Sequence, residues 1–239
     1  MNEQFFQERY PEGYPKTVNV NEFSCITEIF DGFVKKYAEL PAFTCLGQTM
    51  TYAQLDEKSA AFASFLQNET SLQAGDRIAV QLPNVLQYPV VVFGAMRAGI
   101  IVVNTNPLYT EREMEHQFND SGAKALVVLA NFGDKVERVV PKTGIKHVIV
   151  TNVGDMHCPL KRTLINTVLK YVKKEVPAAN IPGAIPLRKA LSKGKGKPYT
   201  SAPATSEDIA VLQYTGGTTG VAKGAMLTHG NLMANMAQA

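Results

Sequence analysis

The feature that most constrains the fold is a regular alternation of short apolar runs and helical patterns between Arg77 and Thr151. The predicted strands cover residues 77–82, 100–104, 125–129 and 147–151, and the predicted helices between them cover residues 84–98, 110–121 and 132–140. Short apolar strands that alternate with helices form βαβ units, whose strands run parallel. The sequence therefore predicts an α/β fold with a largely parallel sheet flanked by helices.

The segments on either side of this alternation differ from it. Before it, we predict a helix from an N-cap at Ser24 to about Leu40 and a hairpin across Gly47, and capping-box spacing follows at Thr51 and again at Thr110. After it, residues 153–207 contain several prolines and the tract SKGKGKP, and we expect them to leave the sheet. Strands are then predicted at residues 209–213 and 225–228.

Composition restricts the class of protein and its location. Apolar residues make up 45% of the 239 residues and charged residues 19%, which is typical of a globular protein. The three cysteines lie far apart, which argues against a disulfide framework and favours a reducing compartment. The N-terminus lacks a signal-peptide pattern, and the most apolar stretch, residues 88–103, is too short and too interrupted to cross a bilayer. We predict a cytoplasmic protein, or one that lies peripherally on the inner membrane.

The net charge of +3 is unevenly distributed, because residues 159–198 contain ten basic residues and one acidic residue. Within them, the segment from Lys161 to Val176 is amphipathic, with one apolar face formed by Leu164, Ile165, Val168, Leu169 and Val172. It is either a peripheral contact with an anionic membrane or an ordinary surface helix packed on the body. Nucleic acid is not an expected partner, because aromatic residues are sparse here and the rest of the chain is acidic.

A glycine-rich stretch, QYTGGTTGVAKGAMLTH at residues 213–229, has the composition of a phosphate-binding loop. Four glycines allow backbone N–H groups to approach an anion, threonine hydroxyls add donors, and Lys223 adds a mobile positive charge. One ion pair of this kind contributes about 5 kcal/mol before desolvation, which offsets the cost of ordering the glycines. The stretch is not a Walker loop, because Ala222 precedes the lysine, Gly224 follows it, and a strand comes next.

The motif YTGGTTGVAKG followed by LTHGNL resembles the phosphate loop of the adenylate-forming superfamily, with Ala222 where the family usually has proline. MTYAQLDEKSAAFASFLQ, GDRIAVQLPNVLQYPVVVFGAMRAGIIVVNTNPLYTEREMEHQFNDSGAKALVV and GTTGVAKGAMLTH occur in the order found in the N-terminal part of bacterial long-chain fatty-acid–CoA ligases. The resemblance covers nearly the whole chain. It implies a fatty acid, ATP and coenzyme A as substrates, with an acyl-adenylate intermediate.

The resemblance also implies roles for particular residues. Lys223 and Thr218 are assigned to catalysis, and the nucleotide-binding residues are Tyr214, Thr215, Gly216, Gly217, Thr218, Thr219, Gly220, Val221, Ala222, Lys223, Gly224 and Ala225. No metal ligand is assigned, because the family's Mg²⁺ ligand is expected beyond Ala239.

The same resemblance implies the domain organisation. Residues 1–239 would be the N-terminal part of the adenylating domain, with about 24–70 shared with a neighbouring subdomain and about 75–230 forming the first α/β subdomain. The adenine pocket, acyl tunnel and C-terminal domain would lie beyond this chain, so we expect residues 1–239 alone not to make acyl-CoA.

Several alternatives remain open from the sequence. The ligase could act on other acyl or aryl substrates, and acyl chain length cannot be read from these residues. A P-loop NTPase or kinase is disfavoured by the loop pattern, whereas a stand-alone nucleotide- or membrane-binding module is not. His229 could approach the nucleotide, but a capping or packing role is favoured; His116 and His147 are interpreted as structural, and His157 with Cys158 lacks a second pair for zinc.

Overall fold

The computed structural model describes residues 22–215 and 222–238. Within them, seven strands form a sheet in the order β7-β6-β5-β3-β4-β8-β9, and β1 and β2 form a separate antiparallel pair. Neighbouring strands of the sheet run parallel, except that β8 and β9 run antiparallel. The strands are β1 (Pro41–Cys45), β2 (Gln48–Thr51), β3 (Arg77–Gln81), β4 (Ile101–Asn104), β5 (Ala123–Leu129), β6 (His147–Thr151), β7 (Ile185–Pro186), β8 (Ile209–Thr215) and β9 (Lys223–Thr228).

Helices cover both faces of this sheet. They are α1 (Ile26–Tyr37), α2 (Tyr52–Glu69), α3 (Gln87–Arg97), α4 (Glu111–Asp120), α5 (Gly133–Val139), α6 (Pro159–Thr167), α7 (Leu187–Gly194) and α8 (His229–Gln238). Side chains alternate between the faces, so that Ile78 and Val80 pack with α2 and α3, whereas Ala79 packs with α4 and α5. Burial on both faces explains why these strands are almost continuously apolar.

The predicted parallel sheet is confirmed, and its strands start and end within two residues of the predicted bounds. Both capping boxes are formed, at Thr51 and at Thr110. The N-cap prediction at Ser24 is wrong, because Cys25 holds that position. The backbone N–H of Ser24 instead donates to the Glu28 carboxylate at 2.7 Å, and the helix ends at Tyr37 rather than Leu40.

The expectation that residues 153–207 leave the sheet is wrong for the middle of that segment. Strand β7 pairs with β6 through Ile185 and Pro186, and α7 then buries Leu187 and Ala190 in the main core. Proline is tolerated in β7 because this strand lies at the edge of the sheet, where a missing N–H breaks no ladder. A two-residue strand is too short to produce a recognisable alternation in the sequence.

Part of the basic segment is neutralised by α2. Lys193 and Lys197 contact Glu69 at 2.7 and 2.8 Å, and Lys195 contacts Glu57 at 2.8 Å. Lys193 and Lys197 lower the pKa of Glu69 from 4.5 to about 2. The tract SKGKGKP therefore lies along an acidic helix of the same chain.

Two glycines allow neighbouring helices to approach α2 closely. A Cβ atom at Gly94 of α3 would lie 2.8 Å from the Ser59 carbonyl oxygen, and one at Gly194 of α7 would lie 1.9 Å from the Ala61 carbonyl oxygen. Both obstacles are backbone atoms, which cannot rotate away. The absence of a side chain at these two positions thus sets how tightly α3 and α7 pack on α2.

We expect Gly194→Ala to lower the free energy of unfolding by about 1–3 kcal/mol, because the new methyl group overpacks the α2–α7 contact. The matched control is Gly32→Ala in α1, where a Cβ atom meets nothing within 4 Å. That change should raise stability by about 0.5–1 kcal/mol through helix propensity. Urea unfolding followed by circular dichroism measures both; equal effects would contradict the close-packing argument.

Candidate functional site

The candidate site lies at the carboxyl ends of β3, β4 and β8, where a cavity of about 430 Å³ opens. Strand β3 lies between β4 and β5 in the sheet. The next strand along the chain is added on one side of β3 and the one after it on the other side, which creates a topological switch point. In open α/β sheets, ligands bind outside the carboxyl ends of the strands near such a point. The position of the cavity therefore agrees with that of a ligand site.

A chain of hydrogen bonds between side chains lines this cavity. The Tyr88 hydroxyl donates to Asn104 Oδ1 at 2.8 Å, and Asn104 Nδ2 donates to Gln213 Oε1 at 2.9 Å. Gln117 Nε2 donates to the Asn104 carbonyl oxygen at 2.8 Å. Burial raises the pKa of Tyr88, which keeps its hydroxyl protonated and able to donate. Asn104 thus connects β4 to α3, α4 and β8.

The β8–β9 pair carries the two ends of the glycine-rich stretch. Its last cross-strand partners are Thr215 and Lys223, preceded by Tyr214 with Gly224 and by Gln213 with Ala225. Thr215 and Lys223 are exposed, and they lie side by side at the same edge as the cavity. A hydroxyl donor and an ammonium group are therefore adjacent where the two strands meet this segment.

The ring of Tyr214 packs beneath Gly224. A Cβ atom at Gly224 would lie 2.8 Å from Tyr214 Cε2, so only glycine fits opposite this ring. The Tyr214 hydroxyl donates to Asp120 Oδ2 at 2.5 Å, and burial together with the Asp120 carboxylate raises the pKa of Tyr214. Gly224 consequently has a packing function in the hairpin.

His116 contacts the residue that directly precedes β9. Its Nε2 lies 3.1 Å from the carbonyl oxygen of Ala222. A carbonyl oxygen only accepts, so Nε2 carries the hydrogen and donates it. This contact supports a structural role for His116, whose partner is the carbonyl group directly before Lys223.

The structure brings together only part of the predicted nucleotide-binding set. Tyr214, Thr215, Ala222, Lys223, Gly224 and Ala225 lie together on β8 and β9 or next to them. Gly216, Gly217, Thr218, Thr219, Gly220 and Val221 lie outside the described residues. The binding roles of the whole set stay predictions.

Sequence reasoning missed the polar side chains that organise this edge. The stretch NTNPLYT, residues 104–110, forms a turn in which the Tyr109 N–H donates to the Asn106 carbonyl at 3.1 Å, and it ends at Thr110, the N-cap of α4. Asn104, at the start of that stretch, belongs to the site instead. The available signal was that Asn104 and Gln213 both lie at the carboxyl ends of predicted parallel strands, which meet at one edge.

The remaining histidines lie away from this edge or are buried in packing positions. His229 is buried, its Nδ1 accepts the Ile26 N–H at 3.3 Å, and burial lowers its pKa. This contact supports the packing role. His147 Nε2 lies 3.0 Å from the Ser71 hydroxyl, at the opposite end of the sheet. Among residues 22–215 and 222–238, no group of three or more metal-ligating side chains is found.

Comparison with known sequences identifies the family. Residues 30–239 match the family described as AMP-binding enzyme. The chain belongs to the AMP-binding enzyme family. The resemblance stated from the motifs is confirmed, since this match covers the α/β region and both strands of the hairpin.

Two relatives in this family are named long-chain-fatty-acid–CoA ligase. The protein of Escherichia coli O157:H7 is 51% identical over 230 residues, which are 96% of this chain and 41% of the relative. That of Haemophilus influenzae is 51% identical over 237 residues, which are 99% of this chain and 42% of the relative. The chain thus spans about two fifths of the length of these relatives.

Solved structures of CoA ligases have the same fold. A long-chain-fatty-acid-CoA ligase from Archaeoglobus fulgidus matches 95% of this chain and 41% of its own with a TM-score of 0.70 and 25% identity. An anthranilate CoA ligase in complex with anthranoyl-AMP matches 89% of this chain and 36% of its own, with a TM-score of 0.72 and 18% identity. The predicted fold, that of an adenylate-forming N-terminal domain, is confirmed.

We expect Asn104→Ala to lower the free energy of unfolding by about 1–3 kcal/mol, because it leaves the Tyr88 hydroxyl and the Gln213 amide without their partner. The control is Asn119→Ala, which removes a single exposed hydrogen bond to the Lys142 carbonyl. Denaturant unfolding compares the two variants. If Asn104→Ala cost no more than the control, the hydrogen-bond chain would not stabilise the cavity.

Proposed function

We propose that this chain is part of an ATP-dependent long-chain fatty-acid–CoA ligase, in which it holds the phosphates of ATP. The observation that carries the proposal is the pairing of Thr215 with Lys223 at the carboxyl edge of the sheet. The 51% identity to relatives named long-chain-fatty-acid–CoA ligase supports the substrate class. ATP, coenzyme A and a long-chain fatty acid are the proposed substrates.

The proposed reaction has two steps. A carboxylate oxygen of the fatty acid attacks the α-phosphorus of ATP, and pyrophosphate leaves. The thiol of coenzyme A then attacks the acyl carbon, and AMP leaves. In the first step negative charge moves onto the departing pyrophosphate, so the most useful protein groups are donors and cations positioned around its oxygens.

The protein groups proposed for this step belong to strands β8 and β9 and to the glycine-rich stretch between them. Lys223 supplies the positive charge, Thr215 and Thr218 supply hydroxyl donors, and the glycine backbone supplies N–H groups. Lys223 is exposed at the start of β9, so a phosphate can reach it. Mg²⁺ would accompany ATP, and the described residues include no cluster of metal-ligating side chains for it.

We also propose a division of the chain within the enzyme. Residues of about 75–230 contain the parallel sheet and would form the first α/β subdomain. Residues of about 24–70 include the β1–β2 pair, which lies outside that sheet, and would be shared with a neighbouring subdomain. Exposed Phe33 and Phe43 in this early segment are consistent with such a neighbour.

Three other functions are distinguishable from this proposal. A ligase for aryl acids would have the same fold, as the anthranilate CoA ligase does, and would differ in which acid stimulates adenylation. A stand-alone nucleotide-binding module would bind ATP without exchanging pyrophosphate. A P-loop NTPase is disfavoured, because β9 follows the glycine-rich stretch where that class has a helix.

We expect Lys223→Ala to slow fatty-acid-dependent ATP–pyrophosphate exchange roughly a hundredfold, by removing the charge that faces the pyrophosphate. The assay uses palmitate and the protein expressed from the complete coding sequence. The control is Lys146→Ala, which removes an exposed lysine at the opposite end of the sheet. An unchanged exchange rate in Lys223→Ala would remove this lysine from the mechanism.

We also propose that the enzyme is cytoplasmic and contacts a membrane peripherally through residues 161–176, together with the adjoining Leu160. We infer that this segment lies on an anionic membrane surface, because Leu160, Leu164, Tyr171 and Val172 are 83%, 63%, 67% and 73% exposed. Exposed apolar side chains beside lysines suit the interface between headgroups and acyl chains. No helix in the described part of the chain is long and apolar enough to cross a membrane.

The segment differs in two ways from the single amphipathic helix that was predicted. Helix α6 ends at Thr167 and continues as a π-helical turn over Val168–Val172. The predicted apolar face is divided, because Leu164 and Val172 are exposed while Ile165 is half-buried near Gly154. Val168 and Leu169 are half-buried like Ile165, so only Leu164 and Val172 of the predicted face are turned outward.

We expect the triple change Lys170→Gln, Lys173→Gln and Lys174→Gln to reduce binding to phosphatidylserine vesicles at least about tenfold, since each lysine near the surface contributes ~1 kcal/mol. The control changes Lys193, Lys195 and Lys197 to Gln, which alters net charge equally at ion-paired positions. Vesicle co-sedimentation measures both. Equal losses would show that net charge alone matters, and no loss would favour the ordinary surface helix.

A further inference from the structure

We propose that His116 and Asp120 of helix α4 are positioning residues that hold the two strands leading into and out of the phosphate-binding stretch. His116 donates to the Ala222 carbonyl at 3.1 Å, and Asp120 accepts from the Tyr214 hydroxyl at 2.5 Å. One contact is at Ala222, directly before Lys223 and β9, and the other is on β8 beside Thr215. The inference rests on the proposed function, because it assigns these contacts a role in ATP binding.

Because of their spacing, the two residues lie on one face of α4, and this face supports both strands. His116 and Asp120 are four residues apart, which places their side chains next to each other on an α-helix. Gln117 lies beside them and donates to the Asn104 carbonyl at the end of β4. Three polar residues of one helix therefore contact β4, β8 and the residue directly before β9, at the edge where the cavity opens.

Helix α4 is itself held firmly in place. Its first turn is closed by the capping box between Thr110 and Glu113, and its apolar residues Met114 and Phe118 are fully buried against the sheet. A helix anchored in this way gives His116 and Asp120 fixed positions. The rigidity of the core is thus transmitted to the exposed end of the hairpin.

The contacts act at the positions where nucleotide binding would be most sensitive to displacement. The Ala222 carbonyl belongs to the peptide bond that joins Ala222 to Lys223. The orientation of this peptide group therefore sets the direction of the backbone at Lys223. The Tyr214 ring is held between Asp120 and Gly224, one residue before Thr215. Releasing either contact would let the lysine and hydroxyl donors move apart, which weakens phosphate binding without removing any of its ligands.

The chemistry of the two contacts also predicts which substitutions are tolerated. His116 contributes an N–H donor, which a glutamine amide can replace and a leucine cannot. Tyr214→Phe keeps the ring beneath Gly224 and removes only the hydroxyl that Asp120 accepts. These variants separate the hydrogen bonds from the packing of the hairpin.

The test compares His116→Leu, His116→Gln and Tyr214→Phe in the protein expressed from the complete coding sequence. We expect His116→Leu and Tyr214→Phe each to raise the dissociation constant and the KM for ATP about tenfold, the effect of losing one hydrogen bond. The KM for palmitate should stay within about twofold. His116→Gln should restore ATP binding, and His147→Leu, which removes a histidine bonded to Ser71 far from this edge, should change neither constant.

Hydrogen exchange of the backbone supplies the second readout. In the absence of ATP, His116→Leu should speed exchange of the amides of β9 while leaving those of β5 unchanged, and His116→Gln should not. If His116→Leu left the ATP dissociation constant unchanged, the inference would be overturned, whether or not hydrogen exchange of the β9 amides became faster. An equal loss of ATP binding in His147→Leu would also overturn it, because the effect would then be general destabilisation.

The outcome for the inference can be separated from that for the proposed function. If the wild-type protein bound ATP but showed no palmitate-dependent pyrophosphate exchange, the ligase proposal would fail, and the ATP dissociation constants of the variants would still decide the role of His116. If the variants bound ATP as tightly as the wild type and their palmitate-dependent pyrophosphate exchange were normal, the positioning role would fail and the ligase proposal would stand.

Discussion

The contact between the Tyr214 ring and Gly224 is the interaction on which the geometry of the site depends. Strand β9 can pair closely with β8 at this point only because Gly224 has no Cβ atom to meet the ring. The ring in turn brings its hydroxyl to Asp120, which ties the pair of strands to helix α4. Gly224, which the sequence predicts to be part of an anion-binding loop, therefore determines the relative positions of Thr215 and Lys223.

The two faces and the carboxyl edge of the sheet have different functions because they meet different surroundings. Side chains of β3 and β5 are apolar on both faces, since helices cover each of them. At the carboxyl edge the ends of β3, β4 and β8 line a cavity, and polar residues such as Asn104 and Gln213 bond to one another there. The stability of the buried layers allows the polar edge to remain open to a ligand.

The basic segment contributes to the protein in two ways that its net charge does not distinguish. Lys193, Lys195 and Lys197 form ion pairs with acidic residues of α2, so their charge is directed toward the body of the same chain. Lys161 also contacts this body, through the carbonyl of Leu46 at the tip of the β1–β2 hairpin. Lys170 and Lys174 are exposed near apolar side chains that nothing in the described residues covers.

The sequence by itself determined the parallel α/β sheet, both capping boxes and the position of the glycine-rich stretch, because these depend on periodicity and on contacts within a few residues. It did not reveal the β7 edge strand, the division of the 161–176 face, or the partners of Asn104, His116 and Asp120. Those depend on contacts between residues up to 109 positions apart, as between Asn104 and Gln213. Only tertiary packing decides which polar side chains meet, since hydrogen-bond partners distant in sequence leave no local pattern.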